Sequence, residues 1–373
     1  MTVKDYLYHK ASVAKIPLGG TFELSPICNF ACKMCYVRKT MESIQKEGKS
    51  LRTAAEWIAL ARECKEAGML YLLLTGGEPF LYPNFRYLYE ALHDMGIIIS
   101  INTNGTMIDK ETLSWLKDHA PARVNITLYG ASPETYGRIC GNPSGYQRTI
   151  DAILALKEVG IPVSINASMI PENKEDMQDI IQFGKAHDIV VRVGTYMFPP
   201  VRRKAERTDS RMKPEEAGRL NVLKQYYMLD EDKFISTGES CLKSCYGCTD
   251  ERTDTWGDNG EEMRCRAGRS TFWVDWEGKM TACGIMDFPV VKYPFDEKFS
   301  DCWMDLTERV RTSTVLKGCK NCNKKEICHP CAAIIYAETG DVNSKAEYLC
   351  KMADSTMAYW KKMVEERKPG SEK

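Results

Sequence analysis

The feature that most limits how this chain can fold is an alternation of short apolar runs with amphipathic stretches. Residues 22–24, 70–74, 97–101, 124–128, 163–167 and 189–193 are apolar and rich in Val, Ile and Leu, as strands buried on both faces should be. Between them, residues 54–67, 85–95, 110–118, 146–159 and 174–187 carry helical periodicity. In the first of these, Ala54, Trp57, Ile58, Ala61 and Cys64 form a one-face stripe. Gly68, Gly96 and Gly160 follow three of the helices, where left-handed caps are common. Repeated βα units predict a parallel sheet with right-handed crossovers. An open doubly wound sheet and a partial barrel both satisfy that pattern.

Composition narrows the class. The 373 residues suffice for one large domain and a smaller one. Lys+Arg 51 and Asp+Glu 51 cancel, so no global charge draws the chain to nucleic acid or anionic lipid. No signal pattern opens it, and no run of about 18 apolar residues could span a bilayer. A cytoplasmic protein is expected, with neither nucleic acid nor membrane as partner. Sixteen cysteines in such a chain point to metal rather than to disulfides.

Cys28, Cys32 and Cys35 lie at C-x3-C-x2-C spacing just after the first apolar run. Three thiolates on one tight loop can hold three irons of a [4Fe–4S] cube. The next cysteine in sequence, Cys64, falls inside a helical pattern, so one iron is left open to a cofactor or substrate. Zinc sites favour four ligands in C-x2-C pairs; this loop offers three cysteines and one such pair, Cys32 and Cys35, so zinc stays the alternative on spacing alone. After the second apolar run comes Thr75-Gly76-Gly77-Glu78-Pro79. Its glycines permit close backbone approach and Pro79 stiffens the exit. Glu78 and the exposed carbonyls offer acceptors for an ammonium group.

Together these stretches resemble the radical SAM superfamily. The resemblance implies a partial (β/α)6 TIM-like barrel with the site at the C-terminal strand ends. It implies that Cys28, Cys32 and Cys35 carry the cluster whose open iron chelates S-adenosylmethionine. Gly76, Gly77, Glu78 and Pro79 correspond to the turn that binds the SAM amino group. Met34, where the family usually has an aromatic, and Tyr36 correspond to the adenine contact. Asn104, Thr127 and Arg138, the last in a βα loop, correspond to contacts with the SAM ribose and carboxylate. Ser168, Asn173 and Arg192 are further polar candidates at strand ends.

Eleven cysteines follow from Cys241 onward. Cys265, the G-x4-C turn ending at Cys283, the run Cys319, Cys322, Cys328 and Cys331, and then Cys350 resemble the SPASM extension with two auxiliary [4Fe–4S] clusters. That implies Cys319, Cys322, Cys328 and Cys350 on the distal cluster, and Cys265, Cys283 and Cys331 on the proximal one. Its fourth ligand comes from Cys241, Cys245 or Cys248; Cys248 is taken here, and spacing alone does not choose. The spacing of two residues between Cys328 and Cys331 departs from the family's three. Cys302 either serves a further cluster or, like Cys64 and Cys140, is a small buried apolar residue.

The expected layout is a lead-in at 1–20, the barrel at 21–230, a SPASM-like domain at 231–352 and a C-terminal helix and tail at 353–373. The expected activity is reductive cleavage of SAM and oxidative modification of a ribosomally made peptide under anaerobic conditions. The alternatives are a small-molecule dehydrogenase in cofactor or sugar metabolism, and a non-catalytic metal-stapled electron-transfer scaffold. Expected partners are the substrate, an electron donor such as flavodoxin or ferredoxin, and a separate peptide-recognition protein. Sulfatase-type maturation is disfavoured: Gly284 stands where those enzymes carry an Asp base.

Overall fold

The computed structural model describes residues 2–199, 210–246, 263 and 265–367. In chain order the elements begin with α1 (Val3–Val13), β1 (Gly19–Glu23), α2 (Met41–Lys46), α3 (Ala54–Glu66), β2 (Tyr71–Thr75) and α4 (Phe85–Asp94). There follow β3 (Ile98–Thr103), α5 (Lys110–Asp118), β4 (Arg123–Thr127), α6 (Pro133–Cys140), α7 (Gly145–Glu158), β5 (Val163–Ser168), α8 (Met177–Ala186) and β6 (Val190–Gly194). The remainder is α9 (Pro214–Met228), α10 (Glu231–Tyr246), β7 (Thr271–Val274), β8 (Met280–Thr281), α11 (Phe299–Thr312), α12 (Lys325–Cys328), α13 (Ala332–Thr339) and α14 (Glu347–Glu365). The six expected strands are present with ends shifted by at most three residues, consistent with a partial barrel.

The chain divides into two compact units that interleave in sequence: residues 1–166 with 264–313, and residues 167–263 with 314–373. This partition cuts across the boundaries expected at 230 and 352. The reason lies in the sheet. Strands β1 to β5 pair in parallel, each with the next, and β7 pairs in parallel with the other side of β1, Gly19 facing Thr271 and Phe22 facing Val274. β8 closes a hairpin on β7 through the turn Asp275–Lys279, with Asp275 Oδ1 accepting from the Glu277 and Lys279 amides. This hairpin extends the barrel sheet.

Helix starts follow local chemistry. Thr53 and Glu56 form a capping box on α3, whose stripe from Ala54 to Cys64 is buried. α6 occupies a stretch expected as a loop: Ser132 caps it, Pro133 opens it and Gly141, at φ +69°, ends it. Arg138 thus lies on a helix.

In the second unit α9 and α14 pack closely. A Cβ on Gly218 would lie 2.4 Å from the Met352 carbonyl, and Thr356 donates to the Gly218 carbonyl. Val222, Phe234, Trp360, Met363 and Val364 form one core cluster there. Among the described residues no helix is long and apolar enough to cross a membrane.

Candidate functional site

The loop after β1 carries the first three thiols. Cys32 is buried, and Cys28 and Cys35 are half-buried. Backbone amides point at two of the sulfurs: Phe30 N donates to Cys28 Sγ at 3.4 Å and Arg38 N to Cys35 Sγ at 3.2 Å. The loop leans on the C-terminus of α6, where Ala31 N and Lys33 N donate to the Cys140 and Ile139 carbonyls. These are helix-end carbonyls with no partner inside α6. Cys140, which sequence spacing kept apart from this loop, also reaches it. Its thiol hydrogen bonds Cys32, lowering the Cys32 pKa and raising its own. From the other side Trp276, at the β7 turn, packs with Val37, Ile44, Ile27, Cys35 and Tyr36.

The Gly-Gly turn after β2 presses on the entry to the same loop. Gly77 N donates to Ser25 O at 2.7 Å and Glu78 N to Ile27 O at 2.8 Å. Gly76 has φ +146°, and a Cβ there would lie 2.4 Å from Ser25 O; one on Gly77 would lie 2.2 Å from Ile27 O. The close backbone approach these glycines permit is therefore to the chain carrying the thiols.

Glu78 is fully buried. Its carboxylate accepts from Thr103 Oγ1 at 2.7 and 2.8 Å, from Asn104 N at 2.8 Å and from Phe80 N at 3.2 Å. Burial pushes its pKa up to about 7 against these stabilising bonds. Burial is also the main cause that pushes the Cys28 thiol up to about 12. An uncompensated thiolate is disfavoured at Cys28, whereas the Cys140 thiol favours one at Cys32. A bound iron–sulfur group supplies the missing positive charge, and the soft donor set and amide-lined loop fit such a group.

Residues 22–184 match the family described as the Radical SAM superfamily. The chain carries a radical SAM domain. Relatives extend over most of its length. The AdoMet-dependent heme synthase of Methanosarcina barkeri is 24% identical, over 88% of this chain and 94% of that protein. The PqqA peptide cyclase of Bradyrhizobium diazoefficiens is 24% identical, over 87% and 84% respectively. Among solved structures, Streptococcus suis SuiB bound to precursor peptide SuiA superposes with TM-score 0.64 at 19% identity, over 93% of this chain and 80% of that one. Native anSMEcpe with bound AdoMet and Cp18Cys peptide gives 0.67 at 16% identity, over 94% and 100%. At those identities the likeness is one of fold.

Within the radical SAM domain the other expected residues fare differently. Asn104 is almost fully buried beside the thiol loop. Met34, Tyr36 and Thr127 are half-buried, Thr127 at the end of β4. Pro79 is buried. Arg138 is exposed, and its Nη2 donates to Thr135 of its own helix at 3.0 Å. In the second unit, Asn173 ties its own loop by accepting from Ile170 N and donating to Ser168 O. Asn29, Thr103, Thr106, Cys140 and Trp276 were not singled out as site residues from the sequence. Only Thr103, beside Asn104, had a local signal.

The C-terminal thiols fall in both units. Cys265 is exposed and Cys283 half-buried in the first; Cys331, at the N-cap of α13, belongs to the second. Gly284 lies under the Trp273 ring, which a Cβ would meet at 2.7 Å. An acidic side chain following Cys283 has no room without moving that ring. Cys302 is fully buried on α11 among Phe299, Trp303 and Leu306.

Cys319, Cys322, Cys328 and Cys350 lie near one another. Burial first, then Cys319, Cys350 and Cys322, push the Cys328 thiol up to about 12. His329 takes a left-handed conformation, φ +46°, in the short Cys328–Cys331 link. Cys241 and Cys328 both pack against the buried pair Ile327 and Ala353. Cys248 lies outside the described residues, as does the Cys245 side chain. Among the described residues no three His, Cys, Asp or Glu side chains form a ready single-ion site.

Proposed function

We propose that this enzyme reductively cleaves S-adenosylmethionine and oxidatively modifies a side chain of a ribosomally made peptide, by a thioether or carbon crosslink or a related oxidation. The observation that carries this reading is the junction of the Cys28–Cys35 loop with the Gly76-Gly77 turn, through the Gly77–Ser25 and Glu78–Ile27 bonds. It brings three thiols and the carbonyls of a Gly-Gly turn to adjacent ends of parallel strands, where barrels of this kind keep their sites. When bound, the cluster supplies the electron that splits SAM into methionine and a 5′-deoxyadenosyl radical.

The chain's own residues hold and shield. Cys28, Cys32 and Cys35 would ligate three irons, and the Phe30 and Arg38 amides would offset charge on two of the sulfurs. Carbonyls of the Gly-Gly turn would accept from the SAM ammonium. Met34 and Tyr36 would flank the adenine. Thr127 and Arg138 remain proposed contacts with the ribose and carboxylate, Arg138 after a change of rotamer.

Cys319, Cys322, Cys328 and Cys350 would hold one auxiliary cluster; Cys265, Cys283, Cys331 and Cys248 would hold a second. A cube takes its ligands at separate corners, so they need not converge on one point. Peptide substrates in the relatives, PqqA peptide cyclase and SuiA-bound SuiB among them, support the substrate class. A flavodoxin or ferredoxin would deliver the electron, a separate protein would present the peptide, and the cytoplasm would be the compartment.

A small-molecule substrate is the second reading. It draws on the heme synthase relative, matched over 94% of its length.

Anaerobic reconstitution with iron and sulfide, followed by dithionite and SAM, tests the central claim. About twelve irons per chain and release of 5′-deoxyadenosine are expected. Replacing Cys28, Cys32 and Cys35 together by Ala should abolish 5′-deoxyadenosine while leaving auxiliary iron bound. Continued production by the triple variant would overturn the assignment. Co-expression with short cysteine-containing peptides from neighbouring genes, read by mass loss of two hydrogens, separates the peptide reading from the small-molecule one.

A further inference from the structure

The family resemblance assigns Asn104 to the cofactor, yet its side chain is committed elsewhere. It is 5% exposed, just past the end of β3. Its Nδ2 donates to Asn29 Oδ1 at 2.8 Å and lies 3.8 Å from Cys28 Sγ. Its Oδ1 accepts from Thr106 N at 2.9 Å and from Thr106 Oγ1 at 2.6 Å. Asn29 Nδ2 closes the ring by donating to Thr106 Oγ1 at 2.8 Å. The Asn104 main chain is fixed as well, its N–H by Glu78 and its carbonyl by Thr149 Oγ1 at 3.0 Å. An amide has two N–H donors and two acceptor lone pairs, and all four have partners here.

We propose that Asn104, with Asn29 and Thr106, is a clasp that positions the thiol loop at Cys28 and donates an N–H to its sulfur, and that Asn104 is not a ligand of SAM. Asn104 is then a positioning residue. It passes the rigidity of Glu78 and Thr103, buried beneath it, to the exposed turn at Asn29. An N–H donor to a cluster thiolate favours the more negative, reduced state, so it raises the reduction potential. This second role rests on the radical SAM reading; the clasp itself does not.

The experiment begins with protein lacking iron. Alkylation of Cys28 by iodoacetamide, followed by peptide mass spectrometry, reads how often the loop opens. Asn104→Ala and Asn29→Ala should each speed it about tenfold, and the double variant no more than either, because both break one ring. Asn29 is exposed, so its variant keeps the test valid should Asn104→Ala fold poorly. Asn104→Asp keeps the shape and loses the donors; after reconstitution its SAM-site cluster should titrate at a more negative potential, with SAM affinity within about twofold of wild type. Unchanged Cys28 alkylation, additive effects in the double variant, or a tenfold loss of SAM affinity at unchanged potential would each overturn the proposal. If the wild type cleaves no SAM, the proposed function fails, while the alkylation result still decides the clasp.

Discussion

Cys28, Cys32 and Cys35 sit on a loop whose main chain is bonded to the turn after β2 and to the end of α6. Cys319, Cys322 and Cys328 sit on turns bonded mostly to near neighbours, such as Cys322 N to Cys319 O and Cys328 N to Lys324 O. Their longer tie joins residues 316–318 to 342–343. The first loop inherits its shape from a parallel sheet built without metal. The second has a one-turn helix, α12, and a three-residue turn, Lys317–Cys319, as scaffold. The same donor atoms are thus preorganised in one region and, under the proposed ligation, would depend on what they bind in the other.

Removing iron should expose that difference most. In metal-free protein, amide exchange across 317–331 should accelerate by roughly 100-fold or more, while β1–β3 change by only a fewfold. Equal loss in both regions would erase the contrast.

The preorganised side can be broken from within. Gly77→Ala forces a Cβ to within 2.2 Å of Ile27 O. It should cost about 3 kcal/mol in denaturant unfolding and lower iron at the SAM site, leaving auxiliary iron in place.

Glu78 gives the same region a pH signature. Its folded pKa of about 7 stands above the ordinary value of 4.5, so the native state holds the proton more tightly than the unfolded chain. The associated stability is complete below about pH 4.5 and is lost as pH rises through 7, by up to about 3 kcal/mol. Glu78→Gln should flatten that part of the stability profile between pH 5 and 8. A variant with the wild-type slope would show that Glu78 stays ionised throughout.

The smallest effect concerns Cys302. In the well-packed core of α11, Cys302→Ala should cost about 1 kcal/mol and leave iron content unchanged. A loss of about four irons would make it a ligand and enlarge the metal-dependent side.

Much of this was legible in the sequence for a physical reason. Short continuous runs of Val, Ile and Leu stand out in any sequence, so β2 to β6 announce themselves, although β3 and β4 bury alternate residues and β6 leaves most of its positions exposed. The thiol loop and the Gly-Gly turn stand out because their chemistry needs fixed local spacing. What joins them was hidden. The bonds from Gly77 to Ser25, from Asn104 to Asn29 and from Ala31 to Cys140 connect residues far apart in sequence. Helix α6 had its start written in Ser132-Pro133-Glu134 but lies in a short βα link that reads as loop. β7 alternates like a strand, yet nothing local says that its partner is β1.

That last pairing bears on how the protein is made. β1 leaves the ribosome before the strand that covers its second side, which follows about 250 residues later. At roughly 5–20 residues per second, the nascent chain carries an uncovered edge for roughly 13–50 s. Aggregation during synthesis is therefore a hazard set by this topology, and delivery of iron to the N-terminal loop is best timed after residue 313 has left the exit tunnel.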